Sequence, residues 1–184
     1  PLTVTVDKMA ASGGYMMACV ADRIVCAPFA VVGSIGVVAQ LPNFNRLLKR
    51  HDVDYEMFTA GDFKRTVTVL GENTDAGRQK YQDEIEDIHD LFKTFVKQHR
   101  PQVDLERVAT GEHWLGTRAL ELKLVDEIGT SDDFLMAAHD AADLYQVSYE
   151  AKKPLLSRLM EQARAVVDGK AVDSPPGPLM RHTD

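Results

Sequence analysis

A chain of 184 residues that is 45% hydrophobic and 27% charged has the composition of a soluble globular domain, and its net charge of −7 leaves no basic stripe for a nucleic-acid partner. Two cysteines, Cys19 and Cys26, are too few for a disulfide framework. Both lie in apolar runs, where a thiol serves as a small buried side chain.

The chain opens at Pro1 directly in a strand-like run, Leu2 to Val6, and so reads as a piece whose N-terminal part is missing. Lys8 to Tyr15 forms a joint of small residues, with Ser12 between Ala11 and Gly13. Gly13 to Ala21 is a short, wholly apolar helix, expected to be buried all round, with Asp22 and Arg23 marking its exposed end. Ile24 to Ala27 is a second strand, stopped by Pro28. From Val31 to Val38 apolar residues alternate with glycine, the mark of a backbone that packs close to something. No charge falls between Arg23 and Arg46, a length that raises the question of a membrane span. Pro28, Gly33, Ser34, Gly36, Gln40 and Pro42 interrupt the run, which favours strand–turn–strand in a core.

Asn43 to His51 is an amphipathic helix with Phe44, Leu47 and Leu48 on one face, and Tyr55 to Thr59 a third strand ended by Ala60-Gly61-Asp62. The longest element starts at a cap on Asn73 or Thr74 and runs to about Arg100. It carries Tyr81, Ile85, Ile88, Phe92 and Phe95 at helical spacing, widened by Leu91 and Val96. Leu105 to Ala109 and Gly116 to Lys123 are short helices, and Leu124 to Ile128 a strand. Ser131 caps a helix through about Tyr145, Val147 to Glu150 is a strand, and Leu155 to Val167 a last amphipathic helix. From Asp168 the tail is rich in Gly, Pro and Ser and reads as flexible. Alternating strands and helices predict an α/β fold with a mostly parallel sheet over residues 1–150, followed by a helix and tail over residues 151–184.

Ser12 has two readings. At a strand-to-helix joint, a hydroxyl can be a nucleophile beside free backbone N–H groups, or an ordinary helix cap. A nucleophile needs a base. Histidine is the usual one, and the first after Ser12 is His51, at the charged end of a helix. The remaining histidines form no metal pair, and His113 beside Trp114 reads as structural. Lys64 follows Phe63 in a turn after a predicted strand, where parallel α/β folds collect sites. As a base it must be neutral at working pH. Lowering a lysine pKa from about 10.4 to about 7.5 takes roughly 4 kcal/mol of destabilisation of the ammonium, which burial can supply. Flanked by Asp62 and Arg65, it is equally an ordinary surface lysine. Ser34, in Gly33-Ser34-Ile35-Gly36, either holds that amine or satisfies a neighbouring backbone group.

Four collinear motifs resemble the signal peptide peptidase A family (serine peptidase family S49). They are Met9-Ala10-Ala11-Ser12-Gly13-Gly14-Tyr15, Ala21-Asp22-Arg23-Ile24, Val32-Gly33-Ser34-Ile35-Gly36-Val37 and Gly61-Asp62-Phe63-Lys64, and within the family the likeness is to the SohB type. The resemblance runs to about Ala151, through Val108 to Gly111, Gly116 to Leu120 and Leu124 to Gly129. It implies a Clp/crotonase-like fold and a serine endopeptidase with a Ser–Lys dyad. Ser12 would be the nucleophile, Lys64 the general base, Ser34 the residue that holds the lysine, and the Gly13 N–H one oxyanion donor. No cofactor or metal is implied. The second donor, from a loop upstream, would be lacking in this piece. Peptide or protein substrates, a homo-oligomer, and anchoring in a bacterial inner membrane through a missing N-terminal segment, with a periplasmic catalytic domain, complete what the resemblance implies. Two alternatives stand beside it: a crotonase-like acyl-CoA enzyme that uses carboxylates, and a non-catalytic assembly module built on the long helix. Clp protease, which shares Ala-Ala-Ser, uses a histidine soon after it, and the sequence offers no suitable one.

Overall fold

Apolar and β-branched residues with no glycine or proline among them make β1, Thr3–Val6, which pairs in parallel with β3, Arg23–Cys26, through Val4↔Ile24 and Val6↔Cys26. β6, Glu127–Ile128, lies on the other side of β3, also parallel. A second sheet has the order β2-β4-β5. β2, Met9–Ala11, is parallel to β4, Val31–Gly33, and β5, His113–Leu115, is antiparallel to it. The architecture is α/β with mostly parallel pairing, as expected, but divided between two three-stranded sheets. The computed structural model describes residues 1–139 and 141–148. Pro1–Leu144 forms one unit; of the second, Tyr145–Asp184, residues 145–148 are exposed and without regular structure.

The helices are α1 (Gly13–Ala18), α2 (Asn45–Arg50), α3 (Asp75–His99), α4 (Leu105–Val108), α5 (Gly116–Glu121) and α6 (Ser131–His139). α3 begins where the Thr74 hydroxyl accepts from the Gly77 amide at 3.1 Å. Its 25 residues span about 37 Å at 1.5 Å per residue. The core gathers Tyr15, Ile24, Val32, Ile35, Val96 and Leu124, all fully buried, with Phe92 of α3 closing over them. Each such side chain contributes roughly 1.5–3 kcal/mol through burial. Cys19 and Cys26 are buried free thiols within it.

Several expectations are corrected. α1 is not buried all round: Met17 is 76% exposed, because the helix lays only its Tyr15 and Ala18 face on the core. Tyr55 to Thr59 is not a strand. Its residues are exposed and unpaired, and a strand whose N–H and C=O groups meet no neighbouring ladder has nothing to hold it extended. Ile88 and Leu91 are exposed, so the buried stripe of α3 is narrower than the apolar spacing suggests. The Leu124 to Ile128 strand shrinks to two residues, since Leu124 closes the α5 turn through its amide to Ala119. α6 is capped by Thr130, which exchanges side-chain bonds with Asp133, and ends at His139. Of the expected strand Val147 to Glu150, only 147 and 148 are described, and they form none; the helix Leu155 to Val167 and the tail from Asp168 lie outside the described residues.

Candidate active site

Ser12 is the single residue between β2 and α1. Its backbone sits at φ 52°, ψ −120°, a region costly for any residue with a Cβ. Its carbonyl accepts from the Met16 amide at 3.0 Å, while its side chain makes no cap hydrogen bond. Ser12 thus occupies the N-cap position of α1 without using its hydroxyl as a cap. The hydroxyl is held out at the tip of a strained strand–turn–helix, and the residue is exposed. Space over Gly13 and Gly14 is open, with no atom within 4 Å of where a Cβ would sit.

Ser34 arrives at the same place by register. Ala11 pairs with Gly33 across the parallel β2–β4 ladder, so Ser12 and Ser34 are each the first residue past its end. The Ser12 amide donates to the Gly33 carbonyl at 2.8 Å, which locks that relation. Ser34 also has positive φ, 51°, and follows Gly33 at φ 100°. A Cβ on Gly33 would lie 2.8 Å from the Trp114 ring of β5, and one on Gly36 would lie 2.8 Å from the Gly111 Cα. The glycines of this run are there because backbone does pack close, as the sequence predicts.

Ser12, Gly13 and Ser34 line one cavity of about 680 Å³. Met16 of α1 and Ile88 and Phe92 of α3 supply apolar wall, and Thr110 and Gly111 a polar rim. His89 also faces it, its Nε2 3.2 Å from the Ile35 carbonyl. His89 is distant from Ser12 in the chain, and α3 brings it to the cavity with its Nε2 on the Ile35 carbonyl.

Lys64 is not brought there. It is exposed, in a turn whose amide donates to Gly61 at 3.2 Å, and it is not among the residues lining the cavity. The structure therefore unites three of the four predicted site residues. Among the described residues no group of three or more His, Cys, Asp or Glu side chains is placed to hold a metal ion.

A strained turn between strand and helix that carries Ser12, with Ser34 over the same cavity, is the candidate site, and the family follows from comparison. The model of peptidase family S49 matches residues 1–145, so the chain belongs to that family. It is 62% identical over 162 residues to the Probable protease SohB of Haemophilus influenzae, covering 88% of this chain and 46% of that protein. To the Probable protease SohB of Buchnera aphidicola subsp. Acyrthosiphon pisum it is 58% identical, covering 85% and 47%. The chain spans about half the length of these curated relatives. Among solved structures, an enoyl-CoA hydratase/isomerase from Marinobacter aquaeolei is similar at a TM-score of 0.40 and 17% identity, covering 91% of this chain and 53% of that one.

Proposed function

We propose that this chain carries the nucleophile of a serine endopeptidase, with Ser12 attacking and Lys64 as general base. The observation that carries the reading is the pairing of Ser12 and Ser34 at the end of one parallel ladder, both at positive φ, over one cavity. Strain of that kind persists where the surrounding fold over-determines it, and a reacting side chain is the common reason.

In this reading Ser12 Oγ attacks the scissile carbonyl carbon as its proton passes to the neutral Lys64 amine. The oxyanion is met by the Gly13 N–H, which as the first helical position of α1 has no carbonyl one turn back to take it. Collapse expels the peptide amine, which receives the proton from Lys64 and leaves an ester on Ser12. Water, deprotonated by Lys64, hydrolyses the ester and restores the serine. Lys64 has to be drawn from its exposed turn to Ser34, on a segment without regular secondary structure. Only the neutral amine accepts a proton, so turnover rises toward alkaline pH. The apolar wall of Met16 and Phe92 suits small apolar side chains at the scissile bond, as in signal-peptide remnants or membrane-associated proteins. A homo-oligomer at a bacterial inner membrane, with the catalytic side in the periplasm, is the setting this reading carries.

The test is peptide cleavage and fluorophosphonate labelling by the full-length protein. Ser12→Ala abolishes both, and Lys64→Ala lowers both by at least a hundredfold. Wild-type cleavage by either variant removes the dyad.

A further inference from the structure

The run Gly33 to Gly36 is held in a conformation it does not favour. Gly33 has φ 100° and Ser34 φ 51°, and the latter costs on the order of 1–2 kcal/mol for a residue with a Cβ. Four main-chain bonds pin the run: Ser12 N–H to the Gly33 carbonyl at 2.8 Å, Ser34 N–H to the Glu112 carbonyl at 2.7 Å, Gly36 N–H to the Ser34 carbonyl at 3.0 Å, and Gly111 N–H to the Ile35 carbonyl at 3.1 Å. One side chain joins them. His89 Nε2 reaches the same Ile35 carbonyl at 3.2 Å. A carbonyl only accepts, so Nε2 carries the proton and donates. Ile35 itself is fully buried, and its oxygen takes both donors.

We propose that His89 is a positioning residue for Ser34: from α3 it fixes the Ile35 carbonyl, and through it the turn that sets the Ser34 hydroxyl beside Ser12. The inference rests on the peptidase reading of this cavity, and adds to it a residue that acts through Ser34. Three features support it. His89 lies on the same helical stripe as Ile85, Phe92 and Val96, at positions where α3 otherwise packs inward. It is half-buried, so its one hydrogen bond is made in a partly water-excluded place where a lost donor is felt. With Nε2 committed to the carbonyl, the ring is anchored edge-on to the turn.

The test compares His89→Leu and His89→Gln in the full chain. Leucine and glutamine are both good helix formers, so α3 stays intact, and only glutamine can return an N–H at about the reach of Nε2. Amide hydrogen exchange at Ser34 and Gly111 is expected to speed up at least tenfold in His89→Leu and to stay near wild type in His89→Gln. Peptide turnover is expected to lose about tenfold in kcat, with KM within twofold, in His89→Leu, and to recover most of it in His89→Gln. Unchanged exchange in His89→Leu overturns the proposal, whatever the activity. A raised KM at constant kcat also overturns it, since His89 would then touch substrate. If His89→Gln is as inactive as Ser12→Ala, the imidazole itself moves protons and the positioning role is wrong. Should the wild type cleave nothing, the peptidase reading fails, and the exchange rates alone decide whether His89 holds the turn.

Discussion

The amide of Ser12 donates to the carbonyl of Gly33 at 2.8 Å, so the last rung of the β2–β4 ladder is made by Ser12 itself. The position of its hydroxyl is thereby tied to strand register. A slip of one residue would turn every side chain of β2 to the other face and carry Ser12 away from Ser34.

That tie is made at the expense of backbone comfort. Ser12→Gly removes the Cβ that disfavours φ 52°, ψ −120°, and is expected to stabilise the fold by about 1 kcal/mol while ending fluorophosphonate labelling. Urea unfolding checks it, and a variant less stable than wild type contradicts the strain.

Gly33→Ala is expected to cost about 2–3 kcal/mol, since it adds a Cβ at φ 100° and 2.8 Å from the Trp114 ring. Combining it with Trp114→Leu relieves the clash and leaves the backbone penalty. The double variant should therefore be destabilised by less than the sum of the two single changes, as read by chemical denaturation.

Arg100 is 3% exposed and grips Asp126 with both NH groups, at 2.8 and 2.7 Å, while the Ile24 amide donates to the same carboxylate. Burial pushes the Asp126 carboxyl up, but the Arg100 hydrogen bonds and charge and the Ile24 amide outweigh it and hold the group below the usual range. A carboxyl lowered in the fold stabilises it above its unfolded pKa of about 3.9, and that contribution is lost as pH falls through the folded value. Asp126→Asn leaves a buried guanidinium without its counter-charge and is expected to cost roughly 3 kcal/mol at pH 7. The acid limb of its stability–pH curve should flatten; a limb identical to wild type contradicts the assignment.

The thiols give a second titration. Burial, followed by the Asp7 charge, pushes Cys26 up to about 11, and burial raises Cys19 despite the opposing Arg100 charge. Thiolate is the reacting form, so at pH 8 neither cysteine is expected to react with iodoacetamide in the native protein. Both should react once it is unfolded, and mass spectrometry counts the labels.

The alternating runs made the α/β class legible, and local features marked Ser12, Gly13 and Ser34 (small residues at a joint, a serine between glycines), while the β2–β4 register is what brings them together. β2 and β5 were not legible, since Met9-Ala10-Ala11 and His113-Trp114-Leu115 are three residues each and owe their form to β4 between them. Tyr55 to Thr59 misled for the converse reason: β-prone residues with no ladder to join. His89 left one readable trace. The positions 85, 89, 92 and 96 form a helical stripe, and a histidine among Ile85, Phe92 and Val96 is a polar break in an otherwise apolar face.

The cavity draws its two serines and its walls from different parts of the chain. Ser12 and Ser34 belong to the ends of two strands, where a change disturbs register or strain. Ile88 and Phe92 stand on a 25-residue helix that tolerates exchange at an exposed position such as 88. An exchange at position 88 would therefore reshape the cavity wall from α3 while the β2–β4 ladder goes on holding Ser12 and Ser34 in place.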